Sequence, residues 1–384
     1  MRQTRKLSSQ ELLKKNVLDA GLCTGCGACV NLCPYQVIYR DRTVQLHSCD
    51  LSDGKCYAFC PRSSTDLSVL RKSLFPQADV TPEIGVVKGD YLSRAADSNL
   101  RERAQHGGTI TALMELALAE GLIETAIVSS SERQVNVPVA IKSKDDLLQN
   151  SQSRFTVSPT VATFHEIAAE NIAKIGVVAT PCQALALAKI KTYTDKDASL
   201  KKDKLKLVVG LFCGWTLARD KFTELLKMNN IDESAVVGME IPAGKGILEI
   251  YTPQGNRTIP MKEVENCIRE ACRYCVDSTA EYADVSVGAA RFGNDWEEMR
   301  KWNQLIVRTE AGSDLIDLAV ARGVLEIKEA PSEILKELKK AALEKKKVAM
   351  KNIVAKSGRE NNLLYLNSND SLIKGLLKRS GRKK

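Results

Sequence analysis

Histidine is scarce in this 384-residue chain. The three that occur have no metal-ligand spacing, so His106 and the other two are expected in surface or capping roles. Long apolar runs are missing as well: no stretch approaches the ~18–20 residues a membrane span needs. The first 16 residues are charged throughout and lack the apolar core of a secretory signal, so a cytoplasmic protein is expected. A net positive charge is missing from the body of the chain. The formal net charge is +9, but the segment 333–384 alone carries 15 Lys or Arg against 5 Asp or Glu, which accounts for the whole excess. At 44% hydrophobic and 27% charged residues the composition is that of an ordinary globular protein. The length suits two or three domains with a sizeable core.

Cysteine, by contrast, is abundant and clustered. Of 12, seven fall between Cys23 and Cys60, three between Cys267 and Cys275, and Cys182 and Cys213 stand alone. In an intracellular protein such clusters point to metal or redox centres before disulfides. Cys23, Cys26, Cys29 and Cys33, followed by Pro34, have the spacing C-x2-C-x2-C-x3-C-P of bacterial iron–sulfur proteins. Thiolates two residues apart can wrap one face of a cubane, and Gly25 and Gly27 allow the tight loop. A second half follows with Cys49, Cys56, Cys60 and Pro61. In two-cluster ferredoxins the fourth Cys of each run serves the other cluster. The first cluster is therefore expected on Cys23, Cys26, Cys29 and Cys60, and the second on Cys33, Cys49, Cys56 and one further ligand. Seven thiols serve eight seats. Asp53 lies where the missing Cys would sit, Ser52 is the weaker ligand, and a three-iron cluster is the other outcome. Residues 18–62 thus read as a ferredoxin-type module for one-electron transfer, and residues 63–84 as a linker.

From Gly85 onward the pattern is mixed α/β. Helices are predicted from Ile110 to Leu122, from Pro159 to Ala173 and from Ala184 to Lys191. Strong apolar strands are predicted at Ile175–Ala179 and from Leu205 to Phe212, with further strands at Ala126–Val128, Ile247–Thr252, Val285–Val287 and Leu305–Val307. The strand–helix–strand unit between Ile175 and Phe212 should be parallel. Cys182 and Cys213 then emerge at one carboxyl edge of the sheet, where open α/β folds hold ligands. With Cys272 and Cys275 they could hold a third cubane, with Cys267 as a spare; the alternative is that both are small buried hydrophobes. Gly107 and Gly108 precede a helix and could admit a phosphate or a polar ring edge, or simply form a turn.

Several stretches together resemble the family of beta subunits of coenzyme F420-reducing hydrogenase and F420-linked formate dehydrogenase. They are 104–113 around Gly107 and Gly108, Ala179–Gln183, Val209–Cys213, Cys272–Asp277, Ala283–Ser286 and Ile306–Thr309. The resemblance runs from about Tyr91 to Asn352 over a main domain of residues 85–330. It implies FAD, a 4Fe–4S cluster held by Cys182, Cys213, Cys272 and Cys275, and two-electron exchange with F420. It implies flavin contacts at Gly107, Gly108, Thr109 and Thr111, at Ser153, Phe155 and Thr156, and at Pro181 and Gln183. The chain departs from the family with His106 for Asp, Lys301 for Gly and Phe155 for Tyr. Similar proteins serve hydrogenase, formate dehydrogenase, heterodisulfide-reductase-like or sulfite-reducing partners, or reduce other substrates, including a chlorophyll derivative.

The cofactor set suggests the mechanism: F420 carries a hydride, clusters carry single electrons, and FAD converts between them. No side-chain acid or base is required, and none is named. The competing readings are an electron relay without a small-molecule substrate and a zinc-structural role for all the cysteines. The segment 331–384 is expected to be a basic helical tail, with a stripe of Ile334, Leu335, Leu338, Ala342 and Val348 and a stop at Gly358. A solvated basic face is the expectation, with docking to an acidic partner or a membrane surface as alternatives. Nucleic-acid binding is not expected, since the tail's one aromatic is Tyr365.

Overall fold

The computed structural model describes residues 6–76, 78–132, 135–150, 154–194, 201–242, 244–291, 296–359 and 362–380. Its apolar runs assemble into a central sheet of eight strands: β1 (Gly89–Ala95), β2 (Thr125–Glu132), β3 (Val135–Ile141), β4 (Ile175–Ala179), β5 (Leu205–Leu211), β6 (Val285–Ala289), β7 (Asn303–Val307) and β8 (Leu325–Glu329). The spatial order is β8-β1-β7-β6-β5-β4-β2-β3. The centre is parallel, through the β2–β4, β4–β5 and β5–β6 ladders, and the flanks are antiparallel. The mixed α/β class is as expected, and β4, the helix Pro181–Thr192 and β5 form the parallel unit, with Val177 opposite Val208.

Each face of the sheet has its own core. On one face Leu113, Met114 and Ala117 of the helix Thr109–Ala119 pack with Leu315, Ile316 and Ala319 of the helix Glu310–Ala321. On the other the helix Pro181–Thr192 is apolar nearly all round, burying Ala184, Leu185, Ala186, Leu187 and Ala188. A helix without a polar face must be covered on every side. The covering is the cysteine-rich N-terminal segment, whose Leu13, Val17, Leu22, Val30 and Phe59 share a core with Leu187, Ile190, Met350 and Ile353. Residues 63–84 carry the helix Leu67–Leu74, capped by Asp66, and bury Leu67, Leu70 and Phe75. A third core, around Leu225, Leu248 and Ile250, joins the helix Arg219–Met228 to a small sheet of Gly238–Glu240, Ile247–Thr252 and Gly255–Pro260.

The basic tail is helical, at Ser332–Ser357 and Ser371–Ser380, and the first helix stops at Gly358 with φ +69°, a left-handed cap that suits glycine. Its buried stripe keeps the expected Ile334 and Ala342, with Leu335 and Leu338 packed against the core, but Val348 is 55% exposed and Lys346, Met350 and Ile353 face inward as well. Lys346 pairs with Glu281 at 2.6 Å and donates to the Pro82 carbonyl at 2.9 Å, both charged side chains being largely buried. A purely solvated basic face is thereby corrected: one face of the tail is part of the interior. Lys346→Met leaves Glu281 buried without its cation and is expected to cost about 3–5 kcal/mol. A urea midpoint unchanged from wild type would show that the pair contributes nothing. Among the described residues no helix is long and apolar enough to cross a membrane.

Candidate iron–sulfur and flavin sites

The carboxyl edge of the parallel strands collects the chemistry. β4 ends at Ala179 and hands over to Thr180, which caps the next helix, with Pro181 in its first position and Cys182 one residue later. β5 ends at Leu211, two residues before Cys213, whose N–H donates to Ser278 O at 2.9 Å. Cys272 sits in the 3-10 turn Glu270–Tyr274, and Cys275 caps it. These four thiols face one another. Cys275 and Cys272 act on Cys182, and Cys272, Cys182 and Cys275 act on Cys213. Burial pushes Cys182 and Cys213 up. Cys275 is also pushed up by burial, but the Lys345 ammonium and the Arg62 guanidinium outweigh it and hold the thiol below its ordinary range. Lys345 donates to Cys213 O at 2.7 Å and Asp277 O at 2.8 Å. The Thr216 N–H points at Cys272 Sγ, 3.4 Å away.

In the N-terminal segment Cys23, Cys26, Cys29 and Cys60 converge, each thiol sensed by others of the set. They border a small pocket together with Leu13, Val17 and Thr43. The loop needs its glycines. Gly25 has φ +68°, and a Cβ there would stand 2.4 Å from Asp41 O; Gly27 has φ +86°, and a Cβ would stand 2.7 Å from Ala162 N. Cys33, Cys49 and Cys56 form the second group. It lies nearer the surface: Cys33 and Asp53 are exposed. Exposed Tyr35 and Leu46 lie close by along the chain, and the Leu46 N–H donates to Tyr35 O. The first group and the sheet-edge group are neighbours, for Cys26 feels Cys182 directly.

Among the described residues no three His, Cys, Asp or Glu side chains close around one point as ligands of a single ion would. A zinc site requires that closure, with Zn–S near 2.3 Å. Cys267 does not belong to these cysteine groups. It lies in the third core and donates to Lys221 O.

Sequence reasoning missed the buried cations. Arg62 and Lys345 act on the sheet-edge cysteines, and Lys189 donates to Cys60 O, Ser63 Oγ and Thr65 Oγ1, each at 2.7 Å. Burial pushes Lys189 down to about 8. Arg269 ties the first loop in place through Cys23 O at 3.0 Å and Asp41 O at 2.6 Å. The adjacency of Arg62 to Cys60-Pro61 was a usable signal; nothing in the run Lys345–Lys347 marks Lys345 and Lys346 as the two that reach partners far away in sequence. The histidine expectation holds for exposed His47 and needs correction for the other two: His106 is largely buried, with Nε2 3.7 Å from Glu240, and His165 is half-buried, with Nε2 3.1 Å from Ala28 O.

The flavin candidates have structural duties too. A Cβ at Gly107 would stand 2.9 Å from Ser93 O, and one at Gly108, where φ is +77°, 2.4 Å from Leu100 Cδ2. Protein already takes this space. The Thr109 N–H donates to Asn303 Oδ1, and its hydroxyl meets Ser93 Oγ. Thr111 is buried on the next turn. Gln183 Oε1 accepts from Thr180 N–H and Oγ1, and its Nε2 donates to Ser158 O. Phe155 packs on Trp215, and Thr156 accepts from Asn136. Ser153 lies outside the described residues. Nearby, Arg154 Nε, Ser158 Oγ and Thr160 Oγ1 are buried without a protein partner. Orphaned polar atoms so close in sequence fit a polar ligand such as FAD.

The N-terminal family model of the coenzyme F420 hydrogenase/dehydrogenase beta subunit matches residues 91–165, and its C-terminal counterpart matches 172–333. A 4Fe–4S binding domain matches 17–39. The coenzyme F420 hydrogenase subunit beta of Methanothermobacter thermautotrophicus is 31% identical over 284 residues, 71% of this chain and 96% of that protein. Its counterpart from Methanosarcina barkeri, also a coenzyme F420 hydrogenase subunit beta, is 28% identical over 274 residues, 69% of this chain and 91% of its own. A chain of the F420-reducing NiFe hydrogenase complex from Methanosarcina barkeri, solved as a xenon derivative, superposes with a TM-score of 0.64 at 26% identity, over 72% of this chain and 96% of that one. The protein therefore belongs to the family of coenzyme F420 hydrogenase/dehydrogenase beta subunits, with a 4Fe–4S binding domain ahead of the family region.

Proposed function

We propose that the chain is an oxidoreductase subunit that exchanges a hydride between coenzyme F420, or a related carrier, and FAD, and passes single electrons through 4Fe–4S clusters to or from a partner protein. The observation that carries this reading is the convergence of Cys182, Cys213, Cys272 and Cys275 at the sheet edge, next to Cys26 of the N-terminal set. Cys23, Cys26, Cys29 and Cys60 would hold one cubane, and Cys33, Cys49 and Cys56 a second site, with Asp53 as its fourth ligand or a three-iron cluster in its place.

FAD, when bound, accepts or yields a hydride on one side and single electrons on the other. Gly107, Gly108, Thr109, Thr111, Phe155, Thr156, Pro181 and Gln183 would surround it, and the unpartnered Arg154, Ser158 and Thr160 would supply polar contacts. The chain's part is placement and charge. Burial of the first cysteine set excludes water there, and Lys345 offsets the negative charge of the sheet-edge thiolates. The exposed Cys33 side is where a hydrogenase, formate dehydrogenase or heterodisulfide-reductase-like partner would meet the outermost cluster.

The test is anaerobic purification with iron, sulfide and flavin quantified together. About twelve iron atoms per FAD are expected, or about eleven with a three-iron second site. Bleaching of the flavin by reduced F420 supports hydride exchange. Reduction only by a partner protein would leave a relay, and colourless protein would end the reading altogether.

A further inference from the structure

Arg62 follows Cys60 and Pro61, yet its side chain leaves the N-terminal module and enters the main-domain site. It is only 4% exposed. Its backbone N–H points at Cys60 Sγ, 3.4 Å away, while its guanidinium lies within electrostatic reach of Cys275 and Cys182. The guanidinium stacks over the Tyr365 ring at 4.5 Å, and the Tyr365 hydroxyl donates to Tyr274 O, next to Cys275. Nη2 reaches Ala271 O at 3.5 Å. Nε is buried and has no protein partner, so one donor is left over for a sulfur acceptor. The main domain returns the arrangement, with Lys189 donating to Cys60 O.

We propose that Arg62 is the positioning residue that joins the first N-terminal cluster to the main-domain cluster, its backbone held to a thiolate of one and its guanidinium set beside the cysteine loop of the other. This rests on the reading above that both cysteine sets hold cubanes. In the step concerned one electron leaves the reduced N-terminal cluster, which is oxidised by one, and enters the main-domain cluster, which is reduced by one; no bond forms or breaks and no proton moves. Reduction adds a negative charge to a buried core, and a fixed guanidinium against its thiolates stabilises that charge. Arg62 therefore draws the electron toward the main-domain cluster and shortens the covalent and hydrogen-bonded route to it. Arginine suits the place because its planar, always-charged fork can stack on Tyr365 and donate to sulfur at once.

The experiment compares the full-length protein with Arg62→Gln, Arg62→Lys and Lys345→Gln, all purified anaerobically, by redox titration followed with electron paramagnetic resonance. Cys182→Ser identifies the main-domain signal by its loss. Arg62→Gln is expected to keep its iron and to lower the main-domain midpoint by at least about 59 mV, a tenfold change in a one-electron equilibrium. Arg62→Lys should lower it by less than half as much, since the charge remains. In freeze-quenched samples both Arg62 variants should slow reduction of the main-domain cluster through the N-terminal ones. Lys345→Gln, which touches only the main-domain site, should lower the same midpoint without that delay. An iron-replete Arg62→Gln with wild-type midpoint and transfer rate overturns the proposal. If Arg62→Gln loses iron, an iron-replete Arg62→Lys that transfers as fast as wild type overturns it equally. If Cys182→Ser has the iron content and spectrum of wild type, the failure lies in the cluster assignment beneath it.

Discussion

Cys182→Ser is expected to remove about four iron atoms per chain and to cut the electron path in the middle of the protein. The local fold should survive. Thr180 and Gln183 keep their reciprocal cap, Pro181 keeps its place in the first turn, and serine is tolerated at a helix start. What disappears is a thiolate that faces both sites, for Cys182 is sensed by Cys26 on one side and by Cys213 on the other. The three remaining thiols, two on a flexible C-x2-C turn, cannot hold a four-iron core as tightly. Hydroxyl is also a poor ligand for iron beside thiolate. On the proposed reading, flavin should still be reducible by a hydride donor, while the N-terminal clusters stay oxidised over many turnovers. Iron and sulfide analysis measures the first effect, and electron paramagnetic resonance after addition of reduced F420 measures the second. N-terminal signals that rise as fast as in wild type would show that electrons bypass Cys182, and the proposed order of carriers would be wrong.

How much of this was legible in the sequence differs by residue. The strand Ile175–Ala179 and the strand starting at Leu205 were legible to the residue, because a buried parallel strand is a short unbroken apolar run. So was the placement of Cys182 and Cys213 at one edge, which follows from strand direction alone. The helix between them was read from Ala184, three residues late, because its start is set by the Thr180–Gln183 cap and Pro181 rather than by apolar periodicity. β3 was missed. It is an edge strand with Pro138 in it, which blurs the strand pattern and is tolerated only at an edge. β8 was missed for a similar reason, since it too lies at an edge and ends in Lys328 and Glu329. The buried lysines were illegible in principle. Lys345 and Lys346 sit in a run that composition marks as solvated, and only the partners Cys213 and Glu281, far away in sequence, bring them inside. Gly107, Gly108 and Gln183 carry a different ambiguity. A residue that matches a binding motif can also be required by packing, and the sequence does not separate the two duties.

The same ambiguity attaches to the stretches 283–286 and 306–309, and Arg308→Met should resolve it through a large loss of stability. Arg308 is 1% exposed and makes five hydrogen bonds: Nε to Ser286 Oγ at 2.7 Å, Nη1 to Ile84 O and Val86 O at 2.7 Å each, and Nη2 to Thr279 O at 2.9 Å and Thr279 Oγ1 at 3.0 Å. Burial pushes its pKa down to about 10, with Glu281 and Asp277 opposing. Asp284 completes the knot, accepting from Val208 N–H and from Thr309 Oγ1 at 2.8 Å each. A methionine fills the volume but strands three backbone carbonyls in the interior. At about 1–3 kcal/mol for each buried group left unpaired, the loss should exceed about 3 kcal/mol. Lysine in its place restores charge and at most three donors, so Arg308→Lys should recover only part. The knot also holds the loop 277–281, which begins two residues after Cys275 and whose Asp277 accepts from Thr279 N–H and Glu281 N–H at 2.9 Å each. Iron should therefore leave the sheet-edge site of Arg308→Met at urea concentrations where wild type retains it, with the N-terminal clusters released later. If Arg308→Met unfolds within about 0.5 kcal/mol of wild type, yet no longer exchanges electrons with F420, these residues serve the chemistry directly and the structural account of them is wrong.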